Sequence, residues 1–390
     1  MTASARDIIF NHSERVAPLG LIAIPGSEEL GKKVNDYLVT WSREAGYDYD
    51  NFLIENECPR FSSGDGKALI KNTVRGYDVY IIADFGNYSL EYPLFGRMNR
   101  MSPDDHFQNL KRIIQAIGGK AHRINVITPI LYGGRQHRRN YRESLDCAVA
   151  LQELQNMGVS NIVAFDAHDP RVCNAVPLMG FDNIIPTYQV LKALFKYVND
   201  FKMDKDHFMV VSPDEGALNR NMYYSSVLGV DLGMFYKRRD YSQVVNGRNP
   251  IVAHEYLGNS VEGKDVFIAD DIISSGESML DIAIELKKRN AKRIFAYATY
   301  PIFTNGLEAF DKAYADGKID YVFGTNLSYR TPELLSREWF CEVDVSKYLS
   351  YLIMALNHDM SISKVIDPHQ KISACLLYTS DAADEARSVD

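Results

Sequence analysis

The stretch VFIADDIISSGES, Val266 to Ser278, decides the fold. Four apolar residues deliver the chain to two adjacent carboxylates, Asp270 and Asp271, and a Ser-Ser-Gly-Glu-Ser run then opens a segment with helical spacing. A buried strand that ends in acids and leads into a helix is the unit of a sheet covered on both faces. Backbone N–H groups at a helix start, flanked by small hydroxyls, form a ready site for a phosphate dianion. Asp270 and Asp271 would repel that phosphate, so they suit ribose hydroxyls, or a metal through water. The blander reading is a capped helix with Ser274 or Ser275 as N-cap. The loop alone does not choose between them.

The same alternation runs outward from this stretch. Strands are expected at DVYIIAD (78 to 84), RINVITPIL (123 to 131), NIVAFDAH (161 to 168), HFMVVSPD (207 to 214), DVFIADD (265 to 271) and RIFAYATYP (293 to 301). Helices are expected at Glu143 to Met157, Thr187 to Asn199, Glu277 to Arg289 and Ser346 to His358. The fold class is α/β with mostly parallel sheets. Three strands end in acid or histidine clusters: Asp166 with His168, Asp214 with Glu215, and Asp270 with Asp271. Ligands bind at such carboxyl ends. The repetition suggests two similar halves joined near Phe181 to Thr187, where glycine and proline interrupt the pattern.

Composition narrows the function. A chain of 390 residues exceeds one ordinary core, and 46% hydrophobic with 24% charged residues is a globular balance,. Acids outnumber bases 51 to 43, for a net charge of −8, which offers nucleic acid or anionic lipid no general attraction. The five cysteines, Cys58, Cys147, Cys173, Cys341 and Cys375, form no C-x-x-C pair; a cytoplasmic setting suits them. Neither a signal-peptide core nor an apolar run near the ~18 residues of a membrane span is present. The G-x-S-x-G, H-E-x-x-H and P-loop signatures are absent as well.

Against that acidic background two basic runs stand out. RQHRRNYR, Arg135 to Arg142, places four arginines in eight residues, a local anion trap suited to polyphosphate, or else a solvated basic helix start pairing with Glu143 and Asp146. Lys237, Arg238 and Arg239 follow the apolar run 231 to 236, either as a mobile arm over a phosphoryl group or as an exposed loop. His168 and Asp214 sit at strand ends where Mg²⁺ could be held, although histidine is an uncommon magnesium ligand.

Taken together the motifs resemble the ribose-phosphate pyrophosphokinase family. They are PRFSSGDG with NTVRGYDVYII (59 to 82), PILYGGRQHRR (129 to 139), FDAHD (165 to 169), VSPDEGALNR (211 to 220), YKRR (236 to 239), VFIADDIISSGES (266 to 278) and AKRIFAYATYPIF (291 to 303). The resemblance implies two phosphoribosyltransferase-type, Rossmann-like α/β domains, residues 1–184 and 185–345, with a helix in 346–373 returning to the first. It implies transfer of the diphosphoryl group of Mg-ATP to the 1-hydroxyl of ribose 5-phosphate, by a cytoplasmic homo-oligomer, a hexamer in this family. By position, Phe61, Ser63, Asp65, Arg135, Gln136 and His168 would contact ATP, with Phe61 near adenine. Asp270, Asp271, Ser274, Ser275, Gly276, Glu277 and Ser278 would hold ribose 5-phosphate. His168 and Asp214 would serve Mg²⁺, and Lys237 and Arg239 would be the catalytic cations.

This sequence also departs from the family pattern. Ser274, Ser275, Glu277 and Ser278 replace the third Asp, first Thr, second Gly and last Thr of the ribose loop; His137 and Ser63 replace acidic residues, and the segment between Asp84 and Phe107 is longer than usual. A non-catalytic regulatory relative is therefore the alternative, and a phosphoribosyltransferase a third. From about Ala374 the sequence ACLLYTSDAADEARSVD loses helix or strand logic; residues 374–390 read as a non-native tail and carry no argument.

Overall fold

The computed structural model describes residues 15–239, 251–368 and 372. Residues 374–390 lie outside them. Within the described residues two compact units separate. The first runs to Pro186 and takes in Asn326–Tyr329 and Asp344–Asp367; the second comprises Thr187–Thr325 and Arg330–Val343.

In chain order the first unit has strands β1 (Leu19–Ala23), β2 (Asn56–Glu57), β3 (Leu69–Ile70), β4 (Asp78–Ile82), β5 (Glu91–Leu94), β6 (Arg97–Arg100), β7 (Arg123–Thr128), β8 (Asn161–Phe165) and β9 (Gly180–Ile184). Strands β1, β4, β7, β8 and β9 lie side by side as one parallel sheet. Every residue of β1 and β4 is buried, which demands cover on both faces. On one face Val79, Ile81, Val126 and Ile162 share a core with Leu110, Ile113 and Ile117 of the helix Pro103–Ile117 and with Leu151 and Leu154 of the helix Asp146–Asn156. The helix Glu28–Glu44 buries Leu30, Val34, Leu38 and Trp41 along one stripe,. It packs against β1 and against the helix Ser346–Asn357.

A buried ion pair ties that last helix to the sheet. Asp78, fully buried, accepts from Arg123 Nη2 at 2.8 Å and from Asn357 Nδ2 at 2.9 Å. Arg123 also donates to Leu356 O and Asp359 Oδ1, both at 2.8 Å. Burial opposes ionisation of Asp78, but the hydrogen bonds from Arg123 and Asn357 win and hold its carboxyl below the usual range. Removing one donor by Asn357→Ala should cost about 1.5–3 kcal/mol in urea unfolding at pH 7. Because folding depresses the Asp78 pKa, the stability it brings is present above the unfolded value of about 3.9 and is lost as pH falls through the folded one. The gap between variant and parent should therefore stay constant from pH 6 to 8 and shrink in acid.

The second unit adds β10 (Phe208–Ser212), β11 (Asp231–Arg239), β12 (Ile251–Leu257), β13 (Asp265–Ile273), β14 (Arg293–Pro301), β15 (Tyr321–Thr325) and β16 (Phe340–Val343). Their spatial order is β12-β11-β10-β13-β14-β15-β16, parallel throughout except for β12, which runs antiparallel to β11 at the edge. Both units are thus α/β with parallel or mostly parallel sheets.

Four strands stop short of their expected ends. Pro129 and Pro213 supply no N–H to a ladder, and Asp166 has a left-handed φ of +43°, so β7, β10 and β8 each give way to a turn; β4 likewise ends at Ile82. The helix expected from Glu143 begins at Asp146. Tyr141 has a φ of +62°, and the Glu143 carboxylate accepts the Asn140 N–H at 3.0 Å.

Candidate functional site

In the second unit, β13 is flanked by β10 and β14 and delivers Asp270 and Asp271 at its carboxyl end. Two residues of the helix Leu218–Leu228 organise this end. Asn221, fully buried, donates to Ala269 O at 2.8 Å and accepts the Ala269 N–H at 3.2 Å. Arg220 Nη1 lies 3.4 Å from Asp270 Oδ1, and its Nη2 lies 4.0 Å from Asp271 Oδ1. Burial, then the neighbouring Asp271 charge, pushes the Asp270 carboxyl well above the usual range, while Arg220 pulls it down. The two carboxyls therefore sit side by side next to one fixed cation, Arg220,. Arg220 and Asn221 received no role from the sequence; both lie inside VSPDEGALNRN, but their partners are 48 to 50 residues away.

The turn after β13 corrects the capping expectation. Neither Ser274 nor Ser275 caps the helix: the cap is Gly276, at φ +79°, with no side-chain cap bond. A Cβ there would collide with the Phe310 ring. Ser274 Oγ instead faces Thr304 Oγ1 at 3.4 Å. Glu277 and Ser278 open the helix exposed to solvent, and an acid in the first turn complements the helix dipole.

Asp214 lies on the turn after β10, where its Oδ1 accepts the Ala217 N–H at 3.1 Å. Lys237, Arg238 and Arg239 are not in a loop. Strand β11 continues through them, with Lys237 opposite His254 and a register shift between Arg238 and Arg239. The side chains of Lys237 and Arg239 lie outside the described residues.

In the first unit the RQHRR segment is a loop, not a helix start. Gly133, at φ +64°, turns the chain where a Cβ would press on the Cys147 N. Gln136 Nε2 donates to Ser144 O at 2.9 Å. Arg135, Arg138, Arg139 and Arg142 are exposed, and among the described residues no carboxylate pairs with them, Glu143 and Asp146 included. The loop reaches the end of β8: the His137 and His168 rings lie 5.2 Å apart, and His137 Nε2 is 3.6 Å from Asp169 Oδ2. Asp169 is lowered to about 2, chiefly by its hydrogen bond with Arg171. Phe61, Ser63 and Asp65 form a separate turn between β2 and β3. Among the described residues no group of three or more His, Cys, Asp or Glu could hold a metal by itself.

Two α/β units, one closing its central strand with an acid pair and a short glycine-capped turn, define a protein of phosphoribosyltransferase type. The comparisons sharpen this. The family described as the N-terminal domain of ribose phosphate pyrophosphokinase matches residues 19–158, and the phosphoribosyl transferase domain matches residues 185–323. A ribose-phosphate pyrophosphokinase of Vibrio parahaemolyticus is 29% identical over 318 residues, covering 79% of this chain and 90% of its own. One of Staphylococcus saprophyticus is 24% identical over 361 residues, covering 92% and 100%. The crystal structure of phosphoribosylpyrophosphate synthetase from Mycobacterium smegmatis shares the fold with a TM-score of 0.69 at 20% identity, over 88% of this chain and 99% of that one. The chain belongs to the ribose-phosphate pyrophosphokinase family. No described helix is long and apolar enough to cross a membrane.

Proposed function

We propose that the chain joins ATP and ribose 5-phosphate to give 5-phosphoribosyl 1-diphosphate and AMP. The observation that carries this is the Asp270–Asp271 pair held by Arg220 and Asn221 directly before a tight turn into a helix. The acids accept ribose hydroxyls, while the backbone of Ser274 to Ser278 faces the 5-phosphate. The ribose 1-hydroxyl attacks the β-phosphorus, AMP departs from the opposite side, and the hydroxyl proton passes to solvent. Lys237 and Arg239 offset the charge that grows on the transferring group. Exposed Arg135, with Gln136, meets the polyphosphate, and Phe61 meets the adenine.

Magnesium commonly binds through one or two carboxylates plus substrate phosphates, without an all-protein cage. Asp214 is an oxygen donor of the right kind, and His168 the weaker candidate. When bound, Mg²⁺ would polarise the nucleotide's phosphates. The four described cysteines are unpaired, which suits the proposed cytoplasmic setting; sedimentation would test the proposed homo-oligomer.

The test is incubation of the full chain with Mg²⁺, ATP and ribose 5-phosphate. Equal amounts of AMP and ribosyl diphosphate are expected. The altered loop, with Ser274 and Glu277 where the family pattern has Asp and Gly, favours a second reading as a regulatory subunit; no AMP at any phosphate concentration would select it. Consumption of ribosyl diphosphate with a nucleobase would select a transferase.

A further inference from the structure

The segment carrying Phe61 is closed into a tight turn. Arg60 and Gly66 form an antiparallel bridge. The Phe61 N–H donates to Asp65 O at 2.7 Å, the Gly64 N–H to Phe61 O at 2.9 Å, and Ser63 Oγ to Asp65 Oδ2 at 2.8 Å. Phe61 is left 53% exposed at the tip, with the Lys67 ammonium 5.7 Å from its ring centre.

What braces this turn is the long segment between Asp84 and Phe107. Strands β5 and β6 make a hairpin there, and the helix Pro103–Ile117 follows it through a capping box of Ser102 and Asp105. Arg60 joins all three parts. Its Nη1 donates to Gly64 O at 3.1 Å, its Nη2 to Asp105 Oδ1 at 2.8 Å, and its guanidinium lies 4.5 Å from the Tyr92 ring centre. Gly64, at φ +93°, lies so close to the hairpin that a Cβ would come within 3.0 Å of Leu94 Cδ1. The Arg60 side chain is 12% exposed, so its ion pair is poorly screened compared with a surface bridge.

We propose that Arg60, clamped by Tyr92 of the hairpin and by Asp105, is a positioning residue that fixes how Phe61 presents its ring to the nucleotide base. The hairpin thereby sets base affinity without touching the phosphates. This rests on the reading of Phe61 as the base platform. A mis-set ring should forfeit roughly tenfold in affinity, about 1.4 kcal/mol, a loss within reach of the stacking of a base on an aromatic ring.

The experiment measures Kd by calorimetry on the full chain with Mg²⁺ for three probes: ATP, GTP and inorganic tripolyphosphate, which has no base. Arg60→Ala should weaken ATP and GTP alike, about tenfold, and leave tripolyphosphate unchanged. Arg60→Lys keeps the charge but not the planar fork, and should recover only part of the loss. Tyr92→Leu spares the ion pair, should act in the same direction more weakly, and carries the test alone where Arg60→Ala does not fold. Wild-type ATP and GTP affinity in the Arg60 and Tyr92 variants, with Phe61→Ala weakened, would overturn the clamp alone. So would equal losses for all three probes. ATP bound no better than tripolyphosphate by the parent, or unaffected by Phe61→Ala, would overturn the platform beneath it.

Discussion

Lys237→Ala is expected to lower kcat about 10³-fold while moving the ATP KM less than about threefold. Strand β11 runs parallel to β10 as far as the pairing of Ser212 with Met234, then continues alone alongside β12 through Lys237. The lysine backbone is therefore carried beyond the end of β10, on the strand next to the one whose end bears Asp214. A cation delivered there gains most as negative charge accumulates on a transferring diphosphoryl group, so its loss falls on turnover rather than on ground-state binding. Steady-state kinetics in both substrates, with circular dichroism to verify the fold, checks this. Turnover within twofold of the parent would remove Lys237 from the reaction.

Arg220→Met should raise the KM for ribose 5-phosphate by roughly 10- to 100-fold, the loss of about 1.5–3 kcal/mol from a charge-assisted contact, while leaving the ATP KM near its original value. Arg220, with its side chain 8% exposed, is the cation beside two adjacent carboxyls. Asp270 is already pushed well up by burial and by Asp271, and Arg220 lowers it most, with help from the Asp271 N–H. Without that cation the pair keeps its proton to higher pH and accepts fewer hydrogen bonds from the sugar. The acid limb of kcat/KM for ribose 5-phosphate must therefore move upward in pH. An unshifted limb, or a change confined to ATP, would show that Arg220 does not govern the pair.

Much of this architecture was legible because buried strands announce themselves. Strands β13 and β14 are buried over nearly their whole length and read as continuous apolar runs. The acids near the end of β13, Asp270 and Asp271, marked the carboxyl end of the sheet as the place to look for a ligand,. The helix cap was not legible: serines are good N-caps, but the Phe310 ring lies against the backbone of Gly276, and tertiary crowding selected the glycine. The helix start offered as the alternative for the Arg135 run fails for a related reason: Gly133 turns the chain against the backbone of Cys147. The hairpin was seen only as extra length. Its four-residue strands flank Phe95 and Gly96, both at positive φ, but Pro93 in one strand and an aromatic at the turn argue against a hairpin on sequence grounds. Arg220 was missed because its meaning comes from carboxylates about 50 residues further along the chain.

The most direct measurement of the central claim follows the ribose oxygen. Ribose 5-phosphate labelled with ¹⁸O at its 1-hydroxyl, incubated with the full chain, Mg²⁺ and ATP, should give one AMP per ribosyl diphosphate, with the label in the bridge between C1 and the β-phosphorus. Release of ADP in place of AMP, or label lost from that bridge, would contradict diphosphoryl transfer by attack of the sugar hydroxyl.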